Sequence, residues 1–465
     1  MDSAIQTLRN TFPPPQVLVP THSLYTLLNK SYHAGQQADH RPAAIFLPRG
    51  RQDVVRFMRL MKPFFVQGDI TLAIRNAGQQ LTANCANIHN GITMDLCLLT
   101  GIRFRAHDNI VMIGAGERWG LVYEVLAGGL SLLSPREGFA CDNVVNFEIV
   151  LPCGTTVHAN ANHRRDLFLA LRGGGNNFGV VTRFDMRTFP QGPLYGGCLY
   201  YDLGEMPGQV EKLVRFLKDP VAGNAGDVDV DVRMGLTYAK KWDGVLGRNE
   251  VWYTKHVEEG EEDVVERGLE GCPFVEVKSR MSVLKMVSLS EAAQVKVDDV
   301  EGQRRCTTMN TTVKAHAPTL LAACTTFLNS SNTMDHIPGL YFSLTLQPYP
   351  VGMLHKSSLL GGNSLGLKPA DGPLVGIILV AYWDDANHDE EVLRAMKWVL
   401  GKVEDEAADR RTGFPLKLMN YAGEFQDPIA SYGPHNRWKL GEVSRKWDAE
   451  GVFQKLVPGG FKLLT

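Results

Sequence analysis

Three consecutive glycines, Gly173, Gly174 and Gly175, constrain the fold of this chain more than any other stretch. They follow the amphipathic run RRDLFLALR and precede NNFG and the alternating run VVTRFD. The first run is typical of a short helix, which often ends at glycine, and the last is typical of a strand. Because glycine has no Cβ, its backbone reaches positive φ and approaches neighbouring groups closely. The sequence therefore predicts a helix–turn–strand unit whose turn contacts a flat or charged partner.

The composition narrows the class of protein. With 465 residues, of which 44% are hydrophobic, the chain is long enough for two or three domains. A net charge of −2 provides no basic stripe, so nucleic acid is not expected as a partner. The 8 cysteines are scattered without a CxxC pair, which predicts reduced thiols and neither a disulfide framework nor a metal site. We see no signal-peptide pattern and no run of about 20 apolar residues, and we expect a cytoplasmic protein without a membrane partner.

Residues 1–190 alternate between helix-like and strand-like segments. Apolar residues at helical spacing in residues 51–62 predict a helix that Pro63 ends. Residues 144–160 predict a hairpin with its turn at Pro152-Cys153-Gly154. The other predicted strands cover residues 72–74, 92–99 and 110–113, and a further helix is predicted at residues 119–126.

The pattern changes after residue 190. Strand-like segments alternate with amphipathic helices as far as residue 414, and a tail follows at residues 415–465. This alternation predicts an α+β domain with a largely antiparallel sheet covered by helices.

Five ordered segments resemble one oxidase family. They are RPAAIFLPRGRQDVV, GFACDNVVNFEIVL, DLFLALRGGGNNFGVVTRFDMRTFP, GGNSLGL, and DPIASYGPHN with GVFQKLVPGGFKL. From about residue 40 to the C-terminus, the chain resembles the berberine bridge enzyme-like FAD-linked oxidases, which carry a p-cresol methylhydroxylase-type FAD domain. The resemblance implies a two-domain, vanillyl-alcohol-oxidase-like α+β fold. Residues 1–190 and 415–465 would form the FAD domain and residues 191–414 the substrate domain, with the active site between them.

Residues 75–80 depart from the family pattern. The family has a loop of the R-S-G-G-H-S type, whose amides hold the FAD diphosphate and whose histidine bonds the flavin. This chain reads Arg75-Asn76-Ala77-Gly78-Gln79-Gln80. A glutamine amide is a poor nucleophile, so no histidyl–flavin bond forms at Gln79 and any FAD is expected to bind noncovalently.

A second departure follows the segment GERWGLVYEVLA. Family members continue through a glycine-rich segment that forms the other half of the diphosphate cradle, whereas Ala127 is followed here directly by Gly128-Gly129-Leu130. Buried phosphates require convergent donors, so FAD binding is expected to be weakened or lost. Three explanations compete. The chain binds FAD through the remaining contacts, or the cleft serves flavin-free chemistry, or the gene model lacks an exon.

The resemblance implies cofactor contacts in two loops and at the return from the substrate domain. At that return, the amide of Asn420 suits the pyrimidine edge of isoalloxazine. The alternatives are a helix end feeding a packed strand for the glycine loop, and a pair tying the tail to the core for Asn420 and Tyr421. The predicted cofactor-binding residues are Arg75, Asn76, Gly78, Gln79, Gly173, Gly174, Gly175, Asn176, Asn177, Phe178 and Asn420.

Acid–base candidates come from substrate-domain strands whose side chains face the cleft. Tyr253 and Tyr382 fall in the aromatic-rich runs VWYTKH and VAYWDD, which suit a flat apolar substrate. His256 has charged neighbours, although a lone histidine near a strand end is more often simply solvated. Tyr238, Tyr341 and Gln347 belong to the same class of strand residues. We predict Tyr421, Tyr253, Tyr382 and His256 as catalytic residues.

The predicted function is oxidation or oxidative cyclisation of a small organic molecule in specialised metabolism, with FAD as cofactor and molecular oxygen as its oxidant. One alternative is a flavin-independent isomerase or cyclase that uses the same cleft with acid–base residues only. The other is a non-catalytic binding protein or the product of a truncated gene model.

Overall fold

The computed structural model describes residues 1–76, 78–117, 130–218, 229–242, 244–256, 264, 267–288, 291–292 and 304–463. In these ranges the strands form three sheets, and the buried apolar side chains form two large cores.

Two of the sheets come from the N-terminal part of the chain. Their strands are β1 (Val17–Leu18), β2 (Ala44–Phe46), β3 (Leu72–Arg75), β4 (Ile92–Asp95), β5 (Ile102–Arg105), β6 (Ile110–Gly114), β7 (Val144–Val150), β8 (Thr156–Asn160) and β9 (Val180–Arg187). The four-stranded sheet has the order β1-β2-β4-β3, in which β4 runs parallel to both β2 and β3. The five-stranded sheet is antiparallel with the order β5-β6-β9-β7-β8, and its β7–β8 pair confirms the predicted hairpin.

The third sheet has eight strands and confirms the predicted antiparallel arrangement. Its strands are β10 (Leu194–Tyr201), β11 (Val230–Ala239), β12 (Gly244–Tyr253), β13 (Ser279–Val287), β14 (Arg305–Lys314), β15 (Tyr341–Tyr349), β16 (Leu374–Trp383) and β17 (Gly413–Phe414). Their order is β13-β10-β12-β11-β15-β16-β14-β17. Because side chains alternate between the two faces of a strand, each strand here presents one set of residues to the covering helices and another to the opposite side.

The α-helices of the described residues are α1 (Asp2–Thr11), α2 (Ser23–Asn29), α3 (Gly35–Ala38), α4 (Arg51–Gln67), α5 (Ser134–Glu137), α6 (Arg165–Leu171), α7 (Met206–Lys218), α8 (Ala317–Ser331), α9 (Val351–Leu359), α10 (Asp389–Asp409), α11 (Pro428–Ser431), α12 (Pro434–Trp447) and α13 (Val452–Lys455). Helices α7, α8 and α10 bury their apolar sides in the second core together with one face of the eight-stranded sheet. The first core joins side chains from the N-terminal sheets to side chains of the tail, such as Leu440 and Phe453. The domain boundaries at residues 190 and 414 stay a prediction.

The predicted end of a helix at Pro63 is wrong. Helix α4 continues through Pro63 to Gln67 and ends at Gly68, which has φ +74. Proline removes a single backbone donor, and the buried side chains of Met61 and Phe65 hold the last turns against the first core. The predicted helix at residues 119–126 lies outside the described residues.

Candidate active site

A narrow cavity lies between the two N-terminal sheets. Ile74 and Leu96 line one side, and Val180, Val181 and Phe184 of β9 line the other. The cavity contains about 920 Å³ of space between atoms, part of it open to solvent, of which about 100 Å³ admits the centre of a water molecule. The space is therefore thin. It suits a flat or extended ligand, and a dinucleotide would have to move side chains apart.

Two loops supply most of the polar part of the cavity wall. Five of the predicted cofactor-binding residues line it, namely Asn76, Gly78, Gln79, Gly175 and Asn176. Apolar walls with a few polar groups are typical of sites for cofactors and small molecules. Contact between these residues and a cofactor stays a prediction.

The three glycines serve different purposes. At Gly174 a Cβ would lie 2.3 Å from the carbonyl oxygen of Ala170, so this position is glycine because of packing within the loop. Gly173 has φ +106 and packs against Leu365. Of the three, Gly175 lines the cavity, with φ +67. Gly173 and Gly174, predicted to bind the cofactor, are thus placed outside the cavity wall.

Asn177 holds the glycine loop to the tail. Its Nδ2 donates to the carbonyl oxygens of Gly174 (2.8 Å) and Phe461 (2.9 Å), and its Oδ1 accepts from Gln454 (3.0 Å). Phe178 is fully buried in the first core. The structure therefore does not bring Asn177 and Phe178 to the cavity, because packing and hydrogen bonds inside the protein use both side chains.

The side chain of Arg75 is likewise buried and makes its contacts inside the protein. Its guanidinium lies 3.2 Å from the carboxylate of Asp95, donates to the carbonyl oxygens of Leu28 and Ser31, and stacks over the ring of Tyr32. With these contacts it orients the start of the following loop and does not line the cavity. Ala77, in that loop, lies outside the described residues.

Asn420 lies beside the cavity with unused hydrogen-bonding capacity. It belongs to a short 3-10 helix, Met419–Tyr421, whose Met419 lines the cavity. Both Nδ2 and Oδ1 of Asn420 are buried and make no hydrogen bond to any of the residues that the structure describes, and the same holds for Oδ1 of Asn76. A buried amide without partners is costly, so a ligand that both donates and accepts would stabilise this arrangement.

The lining residues fit FAD, although the cavity would have to widen to admit the whole dinucleotide. The thin apolar space suits a flat ring, Asn420 offers one donor and one acceptor, and glycine residues let the backbone approach a diphosphate. Gln79 lines the cavity with a neutral amide, so the residues fit a noncovalently held cofactor. The predicted deletion at Ala127 lies outside the described residues.

The placement of Tyr253 in the cleft is wrong. Tyr253 ends β12 on the face covered by helices, and its ring is buried in the second core next to Gly268. Tyr238 lies on the same face of β11. His256 does not lie in a strand as predicted: it follows β12 by three residues and is exposed. Alternation along the strand decides which face each tyrosine occupies, and the sequence pattern alone did not show which face was covered.

Tyr382 lies on the opposite face of the sheet, in an aromatic cluster. Its ring is 6.0 Å from the rings of Tyr341 and His33, and its hydroxyl is 3.5 Å from Nε2 of His33. The backbone N–H of His33 donates to the carbonyl oxygen of Gly78, which lines the cavity. Desolvation lowers the pKa of the His33 imidazole, although part of the ring stays exposed. Sequence reasoning missed His33, because no motif surrounds it.

Tyr421 follows Asn420 and is partly buried against the first core. Burial raises the pKa of the Tyr349 hydroxyl, and the nearby hydroxyl of Tyr421 adds a smaller contribution. Tyr421 lies near the cavity because it ends the 3-10 helix whose Met419 lines it. Its catalytic role stays a prediction, as do those of Tyr382 and His256.

One cluster of metal-ligand type lies elsewhere. His336, His388 and Glu391 gather at the start of α10, where Glu391 is 3.2 Å from a ring nitrogen of each histidine. Glu391 contacts both histidines, and none of the three residues lines the cavity.

Solved structures share this fold. BBE-like 1 of Physcomitrella patens superposes with a TM-score of 0.74 over 97% of this chain and 98% of its own, at 18% identity. Berberine bridge enzyme from Eschscholzia californica superposes with a TM-score of 0.74 over 100% of this chain and 99% of its own, at 12% identity. The predicted vanillyl-alcohol-oxidase-like α+β fold is confirmed.

Curated relatives decide the family. FAD-dependent monooxygenase tpcD of Cochliobolus heterostrophus is 31% identical, covering 93% of this chain and 87% of that protein. FAD-dependent monooxygenase FUP4 of Fusarium proliferatum is also 31% identical, with the same coverage. No protein-family model matches the chain. The chain belongs to the berberine bridge enzyme-like family of FAD-linked oxidases.

Membership in this oxidase family confirms the resemblance read from the five sequence segments. The family is one of oxidoreductases, which agrees with a cavity suited to a flat cofactor next to a cluster of ionisable aromatic side chains. Among the described residues, no helix combines the length and the apolar character needed to cross a bilayer.

Proposed function

We propose that this protein is an oxidoreductase that binds FAD noncovalently and oxidises a small organic molecule held near Tyr341 and Tyr382. The observation that carries the proposal is the buried amide of Asn420, which has no hydrogen-bond partner among the described residues. It follows Met419 in the wall of a cavity that is also lined by glycine backbone and apolar side chains. The FAD-dependent relatives support the choice of cofactor.

The protein's own residues would hold the cofactor and manage protons. Asn420 and Asn76 would hydrogen-bond the ligand, while Gly78 and Gly175 would let it approach the main chain. When bound, FAD supplies a hydride acceptor whose electrons pass to molecular oxygen.

His33 and Tyr382 would accept the proton that the substrate loses. Because its pKa is lowered, the imidazole of His33 is neutral at pH 7 and accepts a proton either from the substrate or through the hydroxyl of Tyr382. Tyr341 and Tyr382 together offer a surface against which a flat substrate packs. The same pair would serve the flavin-independent alternative, an isomerase or cyclase.

Spectroscopy of the purified protein tests the proposal. We expect flavin absorbance in the visible range, either as isolated or after addition of FAD, and release of that flavin into the supernatant on acid precipitation. Flavin that stays with the precipitate would contradict noncovalent binding. A folded protein that converts its substrate yet binds no added FAD would overturn the oxidase proposal in favour of the isomerase or cyclase.

A further inference from the structure

Lys462 is a partly buried cation without a counter-ion among the described residues. It lies in the tail between the buried side chains of Phe461 and Leu463, and its Nζ donates to Oδ1 of Asn176 at 3.0 Å. In the part of the chain that the structure describes, no carboxylate lies within 4.0 Å of Nζ. A partly buried ammonium without a paired anion is less favourable than a paired one, so an anionic ligand nearby would stabilise it.

The titratable groups around Lys462 do not supply that partner. They are Cys85 and Asp448. The carboxylate of Asp448 accepts from the backbone N–H groups of Val452 and Phe453, at 2.8 and 2.7 Å, so it caps α13. Burial raises the pKa of the Cys85 thiol, which keeps it neutral. Burial also lowers the pKa of Lys462 to about 8, with Cys85 and Asp448 opposing the effect.

The cavity begins next to this amine. Asn176, Cys85, Gly460 and Phe461 all line it, so the hydrogen-bond acceptor of Lys462 and its nearest titratable neighbour are part of the cavity wall. The tail runs close to the loop before the cavity, since a Cβ at Gly459 would lie 2.0 Å from the backbone of Asn84. The amine of Lys462 thus lies behind Asn176 in the cavity wall.

Three glycines contribute backbone to the cavity wall. Gly78, Gly175 and Gly460 line the cavity with positive φ values of +76, +67 and +78. Their N–H groups donate to no acceptor within the described ranges. Glycine loops with available N–H groups are typical of sites for phosphate groups, and a nearby cation strengthens such sites.

We propose that Lys462 supplies the positive charge that binds the diphosphate of a ligand at the Asn176 end of the cavity. The proposal rests on the proposed function, because FAD is the diphosphate ester that the cavity would hold. The sequence after Ala127 lacks the glycine-rich segment that supplies backbone donors to the diphosphate in the family. Under this proposal, the side-chain cation of Lys462 attracts the phosphates in place of those donors.

The test compares the purified variants Lys462→Met and Lys455→Met with the natural protein. Lys455 is exposed on α13 in the same tail segment and serves as the matched control. Binding of FAD, ADP and riboflavin is measured by calorimetry, and the melting temperature of each ligand-free protein is recorded. ADP carries the diphosphate without the flavin ring, and riboflavin carries the ring without phosphate.

We expect Lys462→Met to weaken FAD and ADP binding about tenfold or more, as loss of a charged hydrogen-bonding partner does. Riboflavin binding should not change, and the melting temperature at pH 7 should stay equal or rise, because an unpaired buried charge is removed. In the natural protein, affinity for FAD and ADP should fall from pH 7 to 9.5 as Lys462 loses its proton, while riboflavin affinity stays constant.

Each contrary result is informative. A lower melting temperature with unchanged FAD and ADP affinity would show that Lys462 only anchors the tail, and it would leave the proposed oxidoreductase intact. FAD affinity in the natural protein that is independent of pH across this range would overturn the proposal without any variant. If the natural protein binds no flavin, the proposed function fails, and ADP alone decides: binding that is lost in Lys462→Met supports the diphosphate site, and no binding overturns it.

Discussion

Asn310 of β14 makes two hydrogen bonds to the backbone of Leu418, one through each end of its side-chain amide. Nδ2 donates to the carbonyl oxygen of Leu418 at 3.0 Å, and Oδ1 accepts from its N–H at 2.8 Å. Gln426 extends the contact by donating to the carbonyl oxygen of Asn310 at 2.7 Å. A strand of the eight-stranded sheet thus fixes the turn that presents Asn420 beside the cavity.

Replacing Asn310 by alanine should weaken flavin binding, because the two hydrogen bonds that position the backbone of Leu418 are lost. We expect the variant to lose about 2–3 kcal/mol in the free energy of unfolding, for two buried hydrogen bonds, and to bind FAD more weakly. Asn249 is the matched control, since its Nδ2 makes two hydrogen bonds of 2.9 Å in the same sheet, to Gln209 and Phe274. Asn249→Ala should be destabilised similarly with normal FAD affinity. Equal affinities in the two variants would refute the positioning role.

Asn420→Leu should shift stability and affinity in opposite directions. Removing two buried polar atoms that have no partner among the described residues is expected to stabilise the ligand-free protein by about 1 kcal/mol, whereas FAD affinity should drop. Asn177→Leu provides the contrast, because the three hydrogen bonds of Asn177 would be lost and the protein destabilised. Melting temperatures with and without FAD measure both effects. A destabilised Asn420→Leu would mean that this amide has partners inside the protein.

Asp231 should make the protein less stable as pH rises through the weakly acidic range. Burial raises the pKa of this carboxyl from 3.8 to about 7, with Arg233 opposing and Glu250 adding to the shift. Between these values the unfolded chain has released a proton that the folded chain retains, so stability falls as pH increases from about 4 to 7. Each pKa unit corresponds to about 1.4 kcal/mol.

Asp231→Asn removes this ionisation and tests the effect. The melting temperature of the variant minus that of the natural protein should increase from pH 5 to pH 8. A difference that stays constant across this range would show that Asp231 does not titrate as the structure implies.

His33 should titrate below the ordinary histidine range. Desolvation lowers the pKa of its imidazole from 6.5, so the neutral ring is retained at weakly acidic pH and can accept a proton there. Nitrogen-15 NMR of the histidine rings follows the titration, and the signals missing from His33→Gln assign it. A pKa above 7 would leave the ring charged at neutral pH and remove the basis for His33 as the proton acceptor next to Tyr382.

Local patterns were sufficient for most elements of the N-terminal part. The helix before the glycines, the strand after them and the hairpin around Gly154 form as the sequence predicts, since each depends on residues close together in the chain. Pro63 misled the prediction because tertiary packing of Phe65 outweighs one missing donor. Tyr253 misled it because alternation shows that a strand has two faces but not which face the helices will cover.

The sequence by itself determined the family, the fold and the two loops that line the cavity, because these follow from short motifs and from the order of segments. Only the tertiary structure decided which side chains meet there. His33 and Tyr382 are 349 residues apart, and Asn176 and Lys462 are 286 apart. Their contacts depend on how the sheets and the tail pack together, and neither His33 nor Lys462 carries a local signal. Packing also places the side chains of Asn177 and Arg75 in internal hydrogen bonds and leaves the amide of Asn420 without a partner among the described residues.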